Sequence, residues 1–323
     1  MTEFLIRRVL QSLLVIFLIS IVTFGLIHAA PGGPTQIFLS PGLSQEAGRI
    51  QAHNLGLDQP VYIQYARWLG DMLQGDLGQT FKNNLPVSDI LWPTVQNTVI
   101  LMGVAWLLAM LIAIPWGIYN STSEYGISDQ SASMISYIGF AMPVFWFGIM
   151  LQELISIKWD LLPLSDMYTM GKEGNIGDLF MHLILPVSVL TLGFLASYVK
   201  YSRTSMLEVL DQDYIRTARA KGMKERRVVF RHALRNAMIP IITILGLDLP
   251  ILVGGAAITE SVFNWPGMGR LFIEMAVARE YSVLMAITLI TAVIVVIGNL
   301  IADILYAIVD PRVQIGRKGG VSS

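Results

Sequence analysis

The feature that most constrains this chain is a recurrence of uninterrupted apolar runs, each about 20 residues long, set between polar stretches. A helix rises 1.5 Å per residue, so about 20 apolar residues cover the roughly 30 Å hydrocarbon layer of a bilayer. The runs read approximately as 9–29, 94–118, 134–157, 183–202, 238–259 and 283–309. Leu, Ile and Val dominate them, Gly and Pro stand inside some, and the two-residue alternation of a membrane barrel is absent. With 54% hydrophobic and only 14% charged residues, the chain is expected to be an all-α integral membrane protein with six transmembrane helices.

Arg7 and Arg8 before the first run, with Ala29 and Ala30 after it, imitate a signal peptide. The apolar stretch exceeds the roughly 7–15 residues of a signal core, so a retained anchor is expected. Orientation follows the cations. Between the fourth and fifth runs stand Lys200, Arg203, Arg216, Arg219, Lys221, Lys224, Arg226, Arg227, Arg231 and Arg235, against Glu208, Asp211, Asp213 and Glu225. This excess puts the segment, and with it both termini, in the cytoplasm. Arg312, Arg317 and Lys318 agree, but residues 119–133 carry Glu124 and Asp129 and no cation. A net charge of -1 hides this segregation and implies no nucleic-acid partner. Zero cysteines exclude disulfides, thiolate metal sites and cysteine nucleophiles. His28, His53, His182 and His232 lack metal-ligand spacing, so no metal is expected.

Three regions follow: 1–29, the tail and first helix; 30–93, an extracytoplasmic subdomain; and 94–323, a five-helix core with a cytoplasmic loop at 203–237. Pro31 to Pro34 stop the first helix, and Pro41 and Gly42 mark a turn. Tyr62, Tyr65, Ala66, Leu69 and Leu73 predict an amphipathic helix that caps the outer helix ends, receives a soluble partner, or both. Beyond the fifth run, Phe263, Trp265 and Met268 read either as an interfacial anchor or as an outer gate over a cavity. In the basic loop, 205–221 and 224–236 read as two helices, one with an apolar stripe of Met206, Val209, Leu210, Tyr214 and Ala218, hinged at Gly222. Such an elbow either docks on a soluble partner or lies on anionic lipid.

Inside the spans, Asp248 stands two residues before Pro250, whose ring removes a helix hydrogen bond. This pair is the candidate translocation path: an ionised Asp248 attracts a cationic group of whatever is moved or pairs with a partner subunit. Asn299, Asp303, Tyr306 and Asp310 share one face of the last helix and suit helix packing, while Glu153 and Glu260 need no special role. Gly246, Gly254, Gly255, Ala256 and Ala257 suit close helix contact. Asp248 and Asp303 differ in depth, so they do not make the carboxylate pair of an intramembrane protease. A secondary transporter or channel remains the rival class, without the inverted repeats common there.

The run from Asp213 to Gly222 (Asp-Tyr-Ile-Arg-Thr-Ala-Arg-Ala-Lys-Gly), continued by Arg231 to Ala237, resembles the EAA coupling loop of membrane subunits in binding-protein-dependent ABC importers for dipeptides, oligopeptides and nickel. Arg216, Thr217 and Ala218 stand in the first three motif places and Gly222 in the last. The outer pattern Leu55 to Pro60, Gln64-Tyr65, Trp68-Leu69 and Gly75 to Gly78 is similar to the first of the two membrane subunits. Glu260 to Phe263, Trp265 to Gly269 and the terminal Asp310-Pro311-Arg312 agree. The resemblance implies a type I importer permease of a bacterial or archaeal inner membrane. Its implied partners are a second homologous permease, two cytoplasmic ATPase subunits holding ATP and Mg, and an extracytoplasmic substrate-binding protein. It carries no catalysis or cofactor of its own. The elbow is implied to fit an ATPase groove through Thr217, Ala218, Arg219, Ala220, Lys221, Gly222, Met223 and Arg226. Peptides are the implied cargo, with nickel chelates, glutathione and oligosaccharides as alternatives.

Overall fold

The computed structural model describes residues 2–30, 53, 56–81, 83–123, 125–254 and 256–309. The motifs at Pro31 to Gly42, Leu55, Glu124, Gly255 and Asp310 onward lie outside them. In chain order the helices are α1 (Thr2–Ala29), α2 (Val61–Leu73), α3 (Val87–Thr122), α4 (Ile127–Ala141), α5 (Val144–Lys158), α6 (Ile176–Leu210), α7 (Asp213–Ala220) and α8 (Glu225–Asp248). Then follow α9 (Ile251–Gly254), α10 (Ala257–Val262), α11 (Met268–Ala278) and α12 (Tyr281–Val309). An isolated bridge between Gln79 and Pro86 is the only β pairing among the described residues.

Among the described residues five helices, α1, α3, α6, α8 and α12, are long and apolar enough to cross a membrane. The sixth expected span, 134–157, is not one straight helix. It is α4 and α5, bent by 103°, because Pro143 has no N–H to donate and drives Met142 out of helical geometry, to φ -84 and ψ 123. The fifth run is also displaced from its expected bounds of 238–259. Its helix starts at Glu225, inside the basic loop, and ends at Asp248, one residue before Leu249-Pro250.

The chain divides into two compact units, one of residues 1–95 with 271–296, the other of residues 96–270 with 297–323. In the first, α2 docks on α1 by a face that keeps Tyr65 of the expected stripe but is turned away from Tyr62 and Leu73. Tyr62 and Leu73 are exposed, at 73% and 82%, whereas Tyr65 meets Ser20 Oγ at 2.8 Å and His28 Nε2 meets Gln64 Oε1 at 3.0 Å. Phe24 stacks on His28 with 4.1 Å between ring centroids. The segment after α2 is tied to the start of α12, where Glu280 accepts from the Phe81 amide at 2.7 Å.

In the second unit, Gly117, Gly139 and Gly246 let helix backbones approach. A Cβ on Gly117 would lie 2.7 Å from the Val199 carbonyl of α6. Gly246 meets Ala302, and Gly298 meets Pro250, so α8 and the end of α12 are in close contact. This supports the expectation for Gly246, and it accounts for Pro250 as a packing surface.

Glu260, expected to have no special role, is fully buried at 0% exposure. Its carboxylate accepts from Thr98 Oγ1 at 2.8 Å and from the Arg270 amide at 2.9 Å. Thr98 Oγ1 in turn accepts from the Met268 amide, and the Trp265 indole donates to the Asn97 carbonyl. A buried carboxylate this well bonded fixes a loop that a desolvated, unbonded one would disrupt. Gly267 makes room for it, since a Cβ there would stand 2.4 Å from the carboxylate. Gly267→Ala is therefore expected to cost about 1–3 kcal/mol and to lower the thermal unfolding midpoint in detergent. Gly193→Ala, whose Cβ would enter open space, is expected to leave the midpoint unchanged or raise it.

Candidate functional site

The elbow is built from the end of α6 to the start of α8. Its first expected helix, 205–221, is broken: α6 stops at Leu210, Gln212 is extended at φ -73 and ψ 148, and α7 begins at Asp213. This break rotates the stripe. Ile215 and Ala218 point inward, at 0% and 7% exposure, while Tyr214 is 43% exposed. They join Met206 of α6, Ile118 of α3, and Val228, Val229, Ala233 and Ala237 of α8 in one apolar cluster. The i, i+3 spacing of Ile215 and Ala218, read from a helix start at Asp213, was the available signal. Full burial of one Ile side chain contributes about 1.5–3 kcal/mol, so α7 is fastened to three long helices.

Gly222 closes the turn. Its φ of +74 is left-handed, its amide donates to the Arg219 carbonyl at 2.9 Å, and the Met223 amide donates to the Ala218 carbonyl at 3.4 Å. This crossed pair is the Schellman ending of a helix, and Met223 supplies its apolar contact against the same cluster. No atom lies within 4 Å of a Cβ built on Gly222, so a substitution there perturbs the backbone and not the packing. Arg219 clips the turn from outside, reaching Glu225 at 2.7 and 3.2 Å. The guanidinium holds the Glu225 carboxyl below its ordinary value, and the carboxylate raises Arg219. Because both side chains are about half exposed, the pair is worth at most about 1 kcal/mol.

Of the expected coupling residues, Thr217, Arg219, Ala220, Lys221, Gly222 and Arg226 are exposed, Met223 is half-buried and Ala218 is buried. Lys221 and Arg226 have no ion pair among the described residues. Asn236 donates to Tyr214 Oη at 2.8 Å and ties α7 to α8. Arg203 reaches Asp129 at 2.6 and 2.9 Å, with Asp129 only 6% exposed. That pair neutralises Asp129, one of the two acids of residues 119–133.

The expected path and gate residues lie elsewhere. Asp248, expected in mid-span, is the last residue of α8, and its carboxylate accepts from the hydroxyl of Tyr198 on α6. Its partner is thus in the same chain. Phe263, Trp265 and Met268 are 2%, 0% and 2% exposed, so the interfacial-anchor reading is corrected. Trp265 packs with Leu101, Ala105, Leu183 and Val187, and Phe263 with Leu185 and Val189.

Apolar helices of membrane-crossing length, bearing a basic elbow that shares their core, define a membrane-embedded transport component. Residues 86–315 match the family described as binding-protein-dependent transport system inner membrane component, and residues 1–102 match its N-terminal counterpart. The chain belongs to that family, the permease subunits of ATP-binding-cassette importers. It is 45% identical over 315 residues to the oligopeptide transport system permease protein AppB of Bacillus subtilis, covering 97% of this chain and 100% of that one. With the dipeptide transport system permease protein DppB of Escherichia coli it shares 37% identity over 336 residues, covering 97% and 99%. A chain of the inward-facing methionine transporter MetNI shares the fold, with a TM-score of 0.55 at 16% identity over 68% of this chain and 96% of that one.

The clip gives a pH dependence. A carboxyl lowered in the folded state stabilises above its ordinary range, and this contribution is lost as pH falls through the lowered value. Amide hydrogen exchange of residues 219–225 is expected to stay constant from pH 8 to about pH 5, after correction for intrinsic rates, and to speed up in more acid solution. Glu225→Gln is expected to remove that acid step.

Proposed function

We propose that this chain is the first of two permease subunits of an importer that moves dipeptides or oligopeptides by alternating access. The relatives named as oligopeptide and dipeptide permeases support the cargo, and the cation excess of the loop supports a cytoplasmic elbow and cytoplasmic termini in the inner membrane. Its partners are a second homologous permease, two ATPase subunits that bind ATP and Mg, and an extracytoplasmic binding protein that delivers the peptide.

The observation that carries this reading is the common core of α7 with α3, α6 and α8. An ATPase groove receives the exposed face of α7, with Lys221 and Arg226 in polar contact. Closure of the ATPase pair displaces the elbow, and the buried Ile215 and Ala218 pass that displacement to the helices. Along α3, Ile118 of the elbow core and Leu101 beside Trp265 are separated by 17 residues, about 26 Å of continuous helix. A rigid-body switch between two packings follows. Asp248 and Pro250 stand at the translocation path, and Phe263, Trp265 and Met268 form the outer gate, which moves as one packed block.

Reconstitution with both ATPases, the second permease and the binding protein tests this. Gly222→Pro, which fixes φ near -65° against the observed +74, is expected to leave insertion and assembly intact and to uncouple ATP hydrolysis from peptide uptake. Gly222→Ala is expected to lose part of the coupling, since the left-handed backbone costs about 1–2 kcal/mol for a residue with a Cβ. Normal coupled uptake by Gly222→Pro, or ion-driven uptake without ATPase subunits, would contradict the proposal.

A further inference from the structure

The outer motif at Gly56 to Gly78 has no part in the elbow mechanism, yet the fold gathers it around one cavity. That cavity, about 400 Å³, lies wholly within the first unit, in the size range of small-molecule sites, about 300–1,000 Å³. One face of α2 lines it, Gln64, Arg67, Trp68 and Asp71, at the i, i+3, i+4, i+7 positions of a single helix side. Phe24 of α1 lies against it as well.

Two details indicate a built site. Gly56, at φ +69, has no side chain where Arg67 lies: a Cβ there would stand 2.5 Å from Nη1 of the guanidinium. Arg67 and Asp71 sit i, i+4 on α2, within reach of one another, and both line the cavity. Neither has an ion pair or hydrogen bond among the described residues. By contrast, the polar atoms of Gln64 and His28 are used locally: Gln64 donates to the Leu57 and Gln59 carbonyls at 3.1 and 2.7 Å and meets His28 through its carbonyl oxygen. Among the described lining residues, the cavity therefore presents a guanidinium whose charge is felt by Asp58 but which makes no hydrogen bond, and the Asp71 carboxylate, about 5–6 Å apart at their Cβ atoms, beside the aromatic rings of Trp68 and Phe24. A short peptide has this pattern in complement, a carboxylate and an ammonium group one or two residues apart with an apolar side chain between.

We propose that the cavity binds the zwitterionic backbone of a short peptide, Arg67 taking its carboxylate and Asp71 its ammonium group. The proposal rests on the peptide-import reading and adds to it a holding site outside the membrane-crossing path. A guanidinium offers a carboxylate two parallel donors, and Trp68 and Phe24 accept the side chain without selecting among apolar residues.

Calorimetric titration of the assembled permease pair in phosphatidylcholine nanodiscs with the dipeptide Ala-Phe tests this. Saturable binding is expected, weakened about tenfold or more by either Arg67→Gln or Asp71→Asn. N-acetylation of the peptide is expected to weaken binding to the wild type but not further to Asp71→Asn, and C-amidation to behave likewise with Arg67→Gln. A merely structural role for either residue would not produce this matching. Uptake by the full importer is measured in parallel. Intact uptake with no nanodisc binding, with binding indifferent to both substitutions, or with a phosphocholine headgroup held at Arg67 instead of peptide, would overturn the site and leave the transport function standing. Failure of the importer to move any peptide would remove the function and the site together.

Discussion

The structure depends on one apolar contact: the side chains of Ile215 and Ala218 closed between α3, α6 and α8. An eight-residue helix such as α7 has too few hydrogen bonds to persist alone in water. It exists because its inner face belongs to a core that the long helices already need. The same burial that stabilises it makes it mechanically continuous with them, so a force applied to its outer face is applied to the bundle. The charges around the turn, Arg219 with Glu225 foremost, adjust the geometry of this contact without supplying most of its strength.

At the other end of α3 the organising principle is inverted. There the Glu260 carboxylate, not a hydrocarbon cluster, draws the loop between α10 and α11 into shape by collecting the Thr98 hydroxyl and the Arg270 amide. Burial of an ionisable group is costly unless its acceptors are filled, and the loop meets that condition only with Gly at 267. A helix fixed by apolar packing around Ile118 and by a well-bonded polar knot around Thr98 is suited to move as a unit.

Much of this was legible in the sequence. Run length alone gave the membrane class and five of the helices, and the cation excess with Gly222 located the elbow and its left-handed turn. The rest needed three dimensions. Nothing local marks Glu260 as buried, since its partner Thr98 is 162 residues away. Nor does anything local mark Asp129 as the partner of Arg203, 74 residues distant. Two local signals outweigh run length and stripe: Pro143, which breaks the third run, and the helix stop at Asp211 and Gln212, which turns Ile215 inward and Tyr214 outward. Asp248 kept its polar significance but changed its address, from mid-span to a helix end bonded to Tyr198.

The central claim is that elbow and helices move as one body. Pulsed electron paramagnetic resonance on the assembled importer, with spin labels at Lys221 on the elbow and at Tyr119 near the end of α3, measures this directly. The account predicts the same distance in nucleotide-free and ATP-bound states, while the Tyr119 label on this chain and a label at the facing helix end of the second permease change separation. An elbow that shifts against Tyr119 while the helices stay in place would contradict it.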